Sequence, residues 1–178
     1  MPAVREHKLG TASWIDIGTD VDAAKRFYGS LLGWDAKDAG PPEQTGGYGF
    51  FTKGGKMVAG YGPQQNPGPP FWSVYFAVAD ADEAARKIED AGAKVVMAPM
   101  DVMSAGRMGV FQGPDGAFFS IWQAGEHKGA ELSRESGAMA WVELNTRDVD
   151  AAKRFYPAAF GWTVQTHEGE MTYHELHV

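Results

Sequence analysis

The sequence predicts an α+β fold assembled from tandem βαβββ modules. The nine residues Asp20 to Tyr28 (DVDAAKRFY) recur unchanged at Asp148 to Tyr156, an offset of 128 in a chain of 178 residues. A short run of alternating polarity precedes each copy, and a Gly-Trp pair (Gly33-Trp34, Gly161-Trp162) follows it. A third, weaker copy starts at Ser73, where Asp80-Ala81-Asp82-Glu83-Ala84-Ala85 echoes Asp20-Val21-Asp22-Ala23-Ala24. A repeat of this length is one supersecondary unit used several times.

The first unit opens with a strand. Ile15 and Ile17 fall on one face; Trp14, Asp16 and Gly18 fall on the other, the period-two pattern of a half-buried strand. Ala23, Ala24, Phe27, Tyr28, Leu31 and Leu32 then keep helical spacing. Asp20 or Asp22 suits the N-cap, and Gly33 suits the C-cap. Strands are expected around Tyr48–Phe51 and Met57–Tyr61, joined at Gly54-Gly55. Residues 64–70, rich in Pro, Gly and Gln, read as a loop. The second unit repeats the order: a strand over Ser73–Val78, a helix ending at Gly92, and strands at Lys94–Met97, Met108–Gln112 and Ala117–Gln123. Gly113-Pro114-Asp115-Gly116 forms the turn between the last two. The third unit is expected to give a strand near Trp141–Leu144, a helix, and strands at Thr163–His167 and Thr172–Val178. Pro157 stands where the first copy has Gly29 and is expected to kink or break that helix.

The domain reading is therefore a paired βαβββ domain over 1–125, a polar linker over 126–137, and an incomplete third module over 138–178. The apolar face of the third helix (Ala151, Ala152, Phe155, Tyr156, Ala159, Phe160) has no paired module, so a homo-oligomer is expected if 178 residues is the full length.

Composition removes several classes. Forty-four per cent of residues are apolar, enough for a core, and the net charge is −7. No cluster of Lys and Arg offers a nucleic-acid face. No apolar run is long enough for a membrane span, and no signal-peptide core precedes the first strand. There are no cysteines, so disulfides and thiolate metal sites are out. The expectation is a cytoplasmic protein with a small-molecule partner, no nucleic acid and no membrane. Nucleotide-binding glycine motifs, a Walker loop and a nucleophile elbow are missing.

The modules, the Asp-x-Asp-x-Ala helix ending in Phe-Tyr, the Gly-Trp that follows, and the closing strand after Gly-Pro-Asp-Gly resemble the vicinal oxygen chelate superfamily. That superfamily includes glyoxalase I, extradiol dioxygenases and bleomycin resistance proteins. Gly10-Thr11 with Trp14-Ile15-Asp16, Ala105-Gly106-Arg107-Met108, and Ile121-Trp122-Gln123 look like its four-module actinobacterial members, described as glyoxalases or hydroxylases. The resemblance implies paired modules forming a cupped mixed sheet, with helices outside and a cleft within. It also implies metal ligands at the start of each first strand and on each last strand. Carried over, those positions are Trp14, Ser73, Ser120 and Trp141. Indoles do not ligate and neutral serine is a poor ligand, so no metal and no cofactor are expected.

The candidate ligand-binding set is Trp14, Ser73, Tyr75, Arg107, Phe118, Ser120 and Trp122, aromatic and hydroxylic groups suited to a small flat molecule. Asp16 is the candidate catalytic residue, because a carboxyl desolvated in an apolar cleft becomes an acid or base at neutral pH. The bland alternatives stand beside these. Asp16, like Glu143, is equally a structural carboxylate. Arg107 is equally a tie to Asp101 or Asp115. Ser73 and Ser120 read as polar cleft residues. His174 and His177 point to opposite faces of a strand and share no metal. Two functions remain open from sequence: a metal-independent binding or resistance protein, and an enzyme of the glyoxalase, lyase or hydroxylase kind.

Overall fold

The computed structural model describes residues 6–65 and 67–178. Asn66, in the expected loop, and residues 1–5 lie outside the described residues. The chain divides into two compact units: Ala12–Tyr75 with Lys128–Val142 and His7, and Phe76–His127 with Lys8–Thr11 and Glu143–Val178.

In the first unit, β1 (Ala12–Thr19), α1 (Val21–Leu32), β2 (Asp35–Asp38), the one-turn α2 (Pro42–Thr45), β3 (Gly49–Lys53) and β4 (Lys56–Pro63) follow one another. The strand order is β2-β3-β4-β1, continuing to the first residues of β5 (Phe71–Ala77). The β1–β4 pairing is parallel, with Asp16 opposite Gly60 and Gly18 opposite Gly62. The Asp20 carboxylate caps α1 by accepting from Ala23 N–H, and Gly33 ends it in the left-handed conformation at φ 67°. Ile17, Ala24, Trp34, Phe51, Val58 and Tyr61 form the core, which confirms that the isoleucine face of β1 points inward. β2 is fully exposed and charged. It shows no apolar alternation, which is why sequence patterning misses it, and its charges guard the sheet edge.

Residues 128–142 lie down on this unit. Ala130 N–H donates to Ser13 O, the Glu131 side chain accepts from Met57 N–H, and Leu132 is buried in the core. The Trp34 indole donates to Gly137 O at 2.7 Å. The stretch expected as a linker is thus fastened at four points. The strand expected at Trp141–Leu144 does not form, and Trp141 is exposed. Extended backbone becomes a strand only with a partner to satisfy its N–H and C=O groups.

In the second unit, α3 (Ala81–Asp90), β6 (Lys94–Val102), β7 (Gly106–Gln112) and β8 (Phe118–Ala124) complete the second module, in the order β8-β7-β6. Pro99 and two register shifts interrupt β6, the edge strand. α4 (Val149–Phe160) and a separate hairpin of β9 (Thr163–His167) and β10 (Tyr173–His177) follow. α4 runs unbroken through Pro157, which forgoes one backbone bond near the helix end; Gly161 then caps it at φ 72°. The apolar face of α4, expected to await another subunit, is covered within the unit. Phe155 and Tyr156 pack on Phe119, and Phe160 packs on Phe76. That face therefore calls for no second subunit to cover it. Among the described residues no helix is long and apolar enough to cross a membrane.

Candidate functional site

The site grows out of β1. Trp14 and Asp16 share the face opposite Ile15 and Ile17. In β4, Gly60 sits across from Asp16 and contributes no side chain. A Cβ there would overlap the Tyr48 hydroxyl and stand 2.9 Å from Asp16 Cβ. The missing methyl group lets the Tyr48 phenol cross β4 and reach Asp16.

Three donors then fix a chain of hydrogen bonds. The Trp14 indole, which can only donate, gives its N–H to Tyr48 Oη at 3.0 Å. Tyr48 therefore directs its own proton to Asp16 Oδ2 at 3.1 Å. Tyr75 donates to the same oxygen at 2.9 Å. Ser73 also bonds the carboxyl. Burial raises the Asp16 carboxyl above the ordinary carboxylate value, and the bonds from Tyr75, Tyr48 and Ser73 oppose the shift without cancelling it. Burial and the Asp16 charge hold the Tyr48 phenol well above its usual value, so it stays a proton donor.

A cavity of about 270 Å³ opens onto this carboxyl. Asp16, Gly18, Tyr48, Gly62, Phe71 and Ser73 line it, with Thr45, Gly46, Pro63, Gln64 and Gln65 around the mouth. Of the residues picked out from sequence, Asp16 and Ser73 reach it directly, and Tyr75 reaches Asp16. Trp14 is only 3% exposed and stacks edge-on to Phe50; it orients Tyr48 and does not wall the cavity. Arg107, Phe118, Ser120 and Trp122 belong to the second unit. There the Arg107 guanidinium sits 3.1 Å from Asp82 and 3.5 Å from Asp101, the tie anticipated with Asp101 as one partner. Ser120 and Trp122 are buried, and the Trp122 indole donates to His127 O. Phe118 is 61% exposed. Sequence reading missed Tyr48, Gly60, Gly62 and Phe71 as site residues. The Gly60-Tyr61-Gly62 run was the available signal: two glycines on one face of a strand mark a close approach.

Residues 17–121 match the Glyoxalase/Bleomycin resistance protein/Dioxygenase superfamily, and residues 139–175 match the Bleomycin resistance protein-like N-terminal family. The chain belongs to the glyoxalase/bleomycin resistance/dioxygenase superfamily. It is 42% identical over 168 residues to the anthracycline biosynthesis protein DnrV of Streptomyces peucetius, covering 85% of this chain and 61% of that protein. It is 41% identical over 169 residues to CFP32 of Mycobacterium bovis, described as a candidate glyoxylase, covering 92% and 64%. The chain thus spans under two thirds of the length of these relatives. Among solved structures, the Mn(II)-bound glyoxalase from Novosphingobium aromaticivorans superposes with a TM-score of 0.62 at 19% identity, covering 96% of this chain and 58% of that one. The catechol dioxygenase BphC gives 0.64 at 14%, covering 97% and 62%. At such identities the likeness concerns the fold.

Superfamily members such as that Mn(II) protein hold a divalent ion. The four positions to which the resemblance carries that site over, Trp14, Ser73, Ser120 and Trp141, do not offer ligands for one. Trp14 already spends its N–H on Tyr48 and has no lone pair to offer, Trp141 is likewise an indole, and Ser73 and Ser120 are neutral hydroxyls. Among the described residues no three His, Asp or Glu side chains converge to hold a metal.

Proposed function

We propose that the Asp16 cavity binds a small organic molecule without a metal ion, making the chain a binding or sequestering member of its superfamily. One observation carries this reading: a half-buried carboxyl, oriented by Tyr48 and Tyr75 and opening onto a cavity. A polar anchor in a mostly apolar recess is the arrangement that ligand sites use. The relatives named for anthracycline biosynthesis and glyoxylase activity support a small organic ligand. The test is titration calorimetry with 2-naphthol on protein treated with EDTA and on protein supplied with Mn²⁺ or Zn²⁺. Equal affinities are expected. Affinity that vanishes with EDTA and returns with a stoichiometric ion refutes the reading.

A second reading follows from the raised Asp16 pKa. The same carboxyl would act as a base on a bound substrate, in a reaction of the glyoxalase, lyase or hydroxylase kind. A carboxyl poised nearer neutrality is suited to accept a proton from a ligand C–H or O–H. Exchange of an acidic C–H for deuterium in D₂O, lost in Asp16→Asn, is the measurement that separates catalysis from binding.

A further inference from the structure

We infer that the ligand class selected by the Asp16 cavity is an uncharged, planar molecule presenting a hydroxyl, a phenol or enol, and that carboxylates and phosphates are rejected. The inference rests on the binding reading above and specifies its chemistry.

No Lys, Arg or His is among the described residues lining the cavity; its only ionisable groups are Asp16 and Tyr48. A carboxylate or phosphate ligand would enter beside Asp16 with no cation to hold it. Repulsion and desolvation would both oppose it.

Oδ2 of Asp16 takes both phenols, and the Trp14 indole prevents Tyr48 from turning its proton elsewhere. A carboxylate has about four acceptor positions. The two phenols and the Ser73 hydroxyl take three of these, so what remains at the ionised carboxyl is acceptor capacity, and the site asks its ligand for a donor. The polar groups at the mouth each place one donor on the backbone. Thr45 Oγ1 donates to Pro41 O, Gln64 Nε2 to Gly68 O and Gln65 Nε2 to Pro63 O.

Gly18 and Gly62 face each other across the β1–β4 ladder; the Tyr48 ring lies over Gly62, and Gly18 leaves bare peptide beside it. A Cβ on Gly18 would meet nothing nearer than Gln64 Cα at 3.8 Å. A flat peptide floor, a Tyr48 wall and Phe71 at 51% exposure suit the face of a ring. A volume of about 270 Å³ accommodates two to three fused rings.

The experiment compares three matched probes on the full chain at pH 7: 2-naphthol, 2-methoxynaphthalene and 2-naphthoate, by equilibrium dialysis or calorimetry. Gly18→Leu fills the floor from a position without steric conflict. Gly18→Val replaces it if the leucine lowers Tm. 2-Naphthol is expected to bind at least about tenfold more tightly than either analogue, because a missing donor leaves a buried acceptor unpaired. Its binding is expected to vanish in the Gly18 variant with Tm unchanged. If the methoxy compound or the carboxylate equals 2-naphthol and the Gly18 variant still abolishes binding, the class assignment is overturned while the cavity stands. If no probe binds, or the folded Gly18 variant binds all three as before, the cavity reading falls with it.

Discussion

Tyr48→Phe is the sharpest test of how the site is held. The substitution keeps the ring, including its edge-on contact with Phe50 at 5.8 Å, and removes one oxygen. That oxygen serves two bonds: it accepts from the Trp14 indole at 3.0 Å and donates to Asp16 at 3.1 Å. A hydrogen bond to a charged group contributes about 1.5–3 kcal/mol, and a neutral one about 1 kcal/mol. Their sum is an upper figure, because water entering the adjacent cavity replaces part of the lost bonding. We expect a net destabilisation of about 2 kcal/mol in urea unfolding. Tyr75→Phe, which removes the 2.9 Å bond to the same carboxylate oxygen, should cost about 1 kcal/mol after the same replacement by water. A cycle with Asp16→Ala should show that about half of the Tyr48→Phe cost disappears when the carboxyl is gone. The two tyrosines lower the Asp16 pKa, so either substitution should raise it further, readable by carboxyl ¹³C NMR titration. A Tyr48→Phe protein within about 0.5 kcal/mol of wild type, with an unmoved Asp16 titration, would refute the relay.

Other outcomes follow from the same geometry. Gly60→Ala places a methyl group where the Tyr48 hydroxyl lies and under 3 Å from the ring carbon bearing it and from Asp16 Cβ, so it should cost more than Tyr48→Phe and keep part of that cost in the double variant, checked by urea unfolding. A carboxyl whose folded pKa exceeds its unfolded value holds its proton more tightly when folded. Its contribution is thus favourable at low pH and is lost as pH rises from the ordinary carboxylate range through the folded value. Asp16→Asn should flatten that part of the stability profile and raise Tm at neutral pH, seen by scanning calorimetry from pH 4 to 8. Phe155→Ala should cost about 3–5 kcal/mol, whereas Phe27→Ala, inside the same nine-residue sequence, should cost under about 1 kcal/mol. The difference follows from 2% against 58% exposure, and chemical denaturation measures both.

The sequence carried the modules well because repetition, capping and alternation are local. Of the two cap candidates Asp20 and Asp22, Asp20 is the one used, its counterparts Asp80 and Asp148 cap the other two helices, and Gly33 and Gly161 each end one. The parity of β1 put Asp16 and Trp14 on one face correctly. What local pattern could not carry is who occupies the neighbouring space. Identical residues in α1 and α4 meet different surroundings: Phe27 stays in water while Phe155 is sealed under Phe119. The strand expected at Trp141 fails for want of a partner, although its alternation matches that of β1. The alternation puts Trp14 on the right face but not against the cavity; the Tyr48 ring that intervenes comes from 34 positions along the chain. Pro157 was expected to disrupt its helix, yet it falls late enough that few turns remain to be broken.

Gly18 has a consequence for how such a recess can diversify. Its opposite number, Gly62, is hemmed in, since a Cβ there would press on the Tyr48 ring at 3.3 Å. A Cβ on Gly18 would make only an ordinary contact with Gln64 Cα at 3.8 Å, and its backbone conformation is open to any residue. One codon can therefore grade the depth of the chamber from glycine through alanine to valine, leaving the ladder, the phenol and the acid untouched. A lineage could retune the size of molecule it admits without first having to refold.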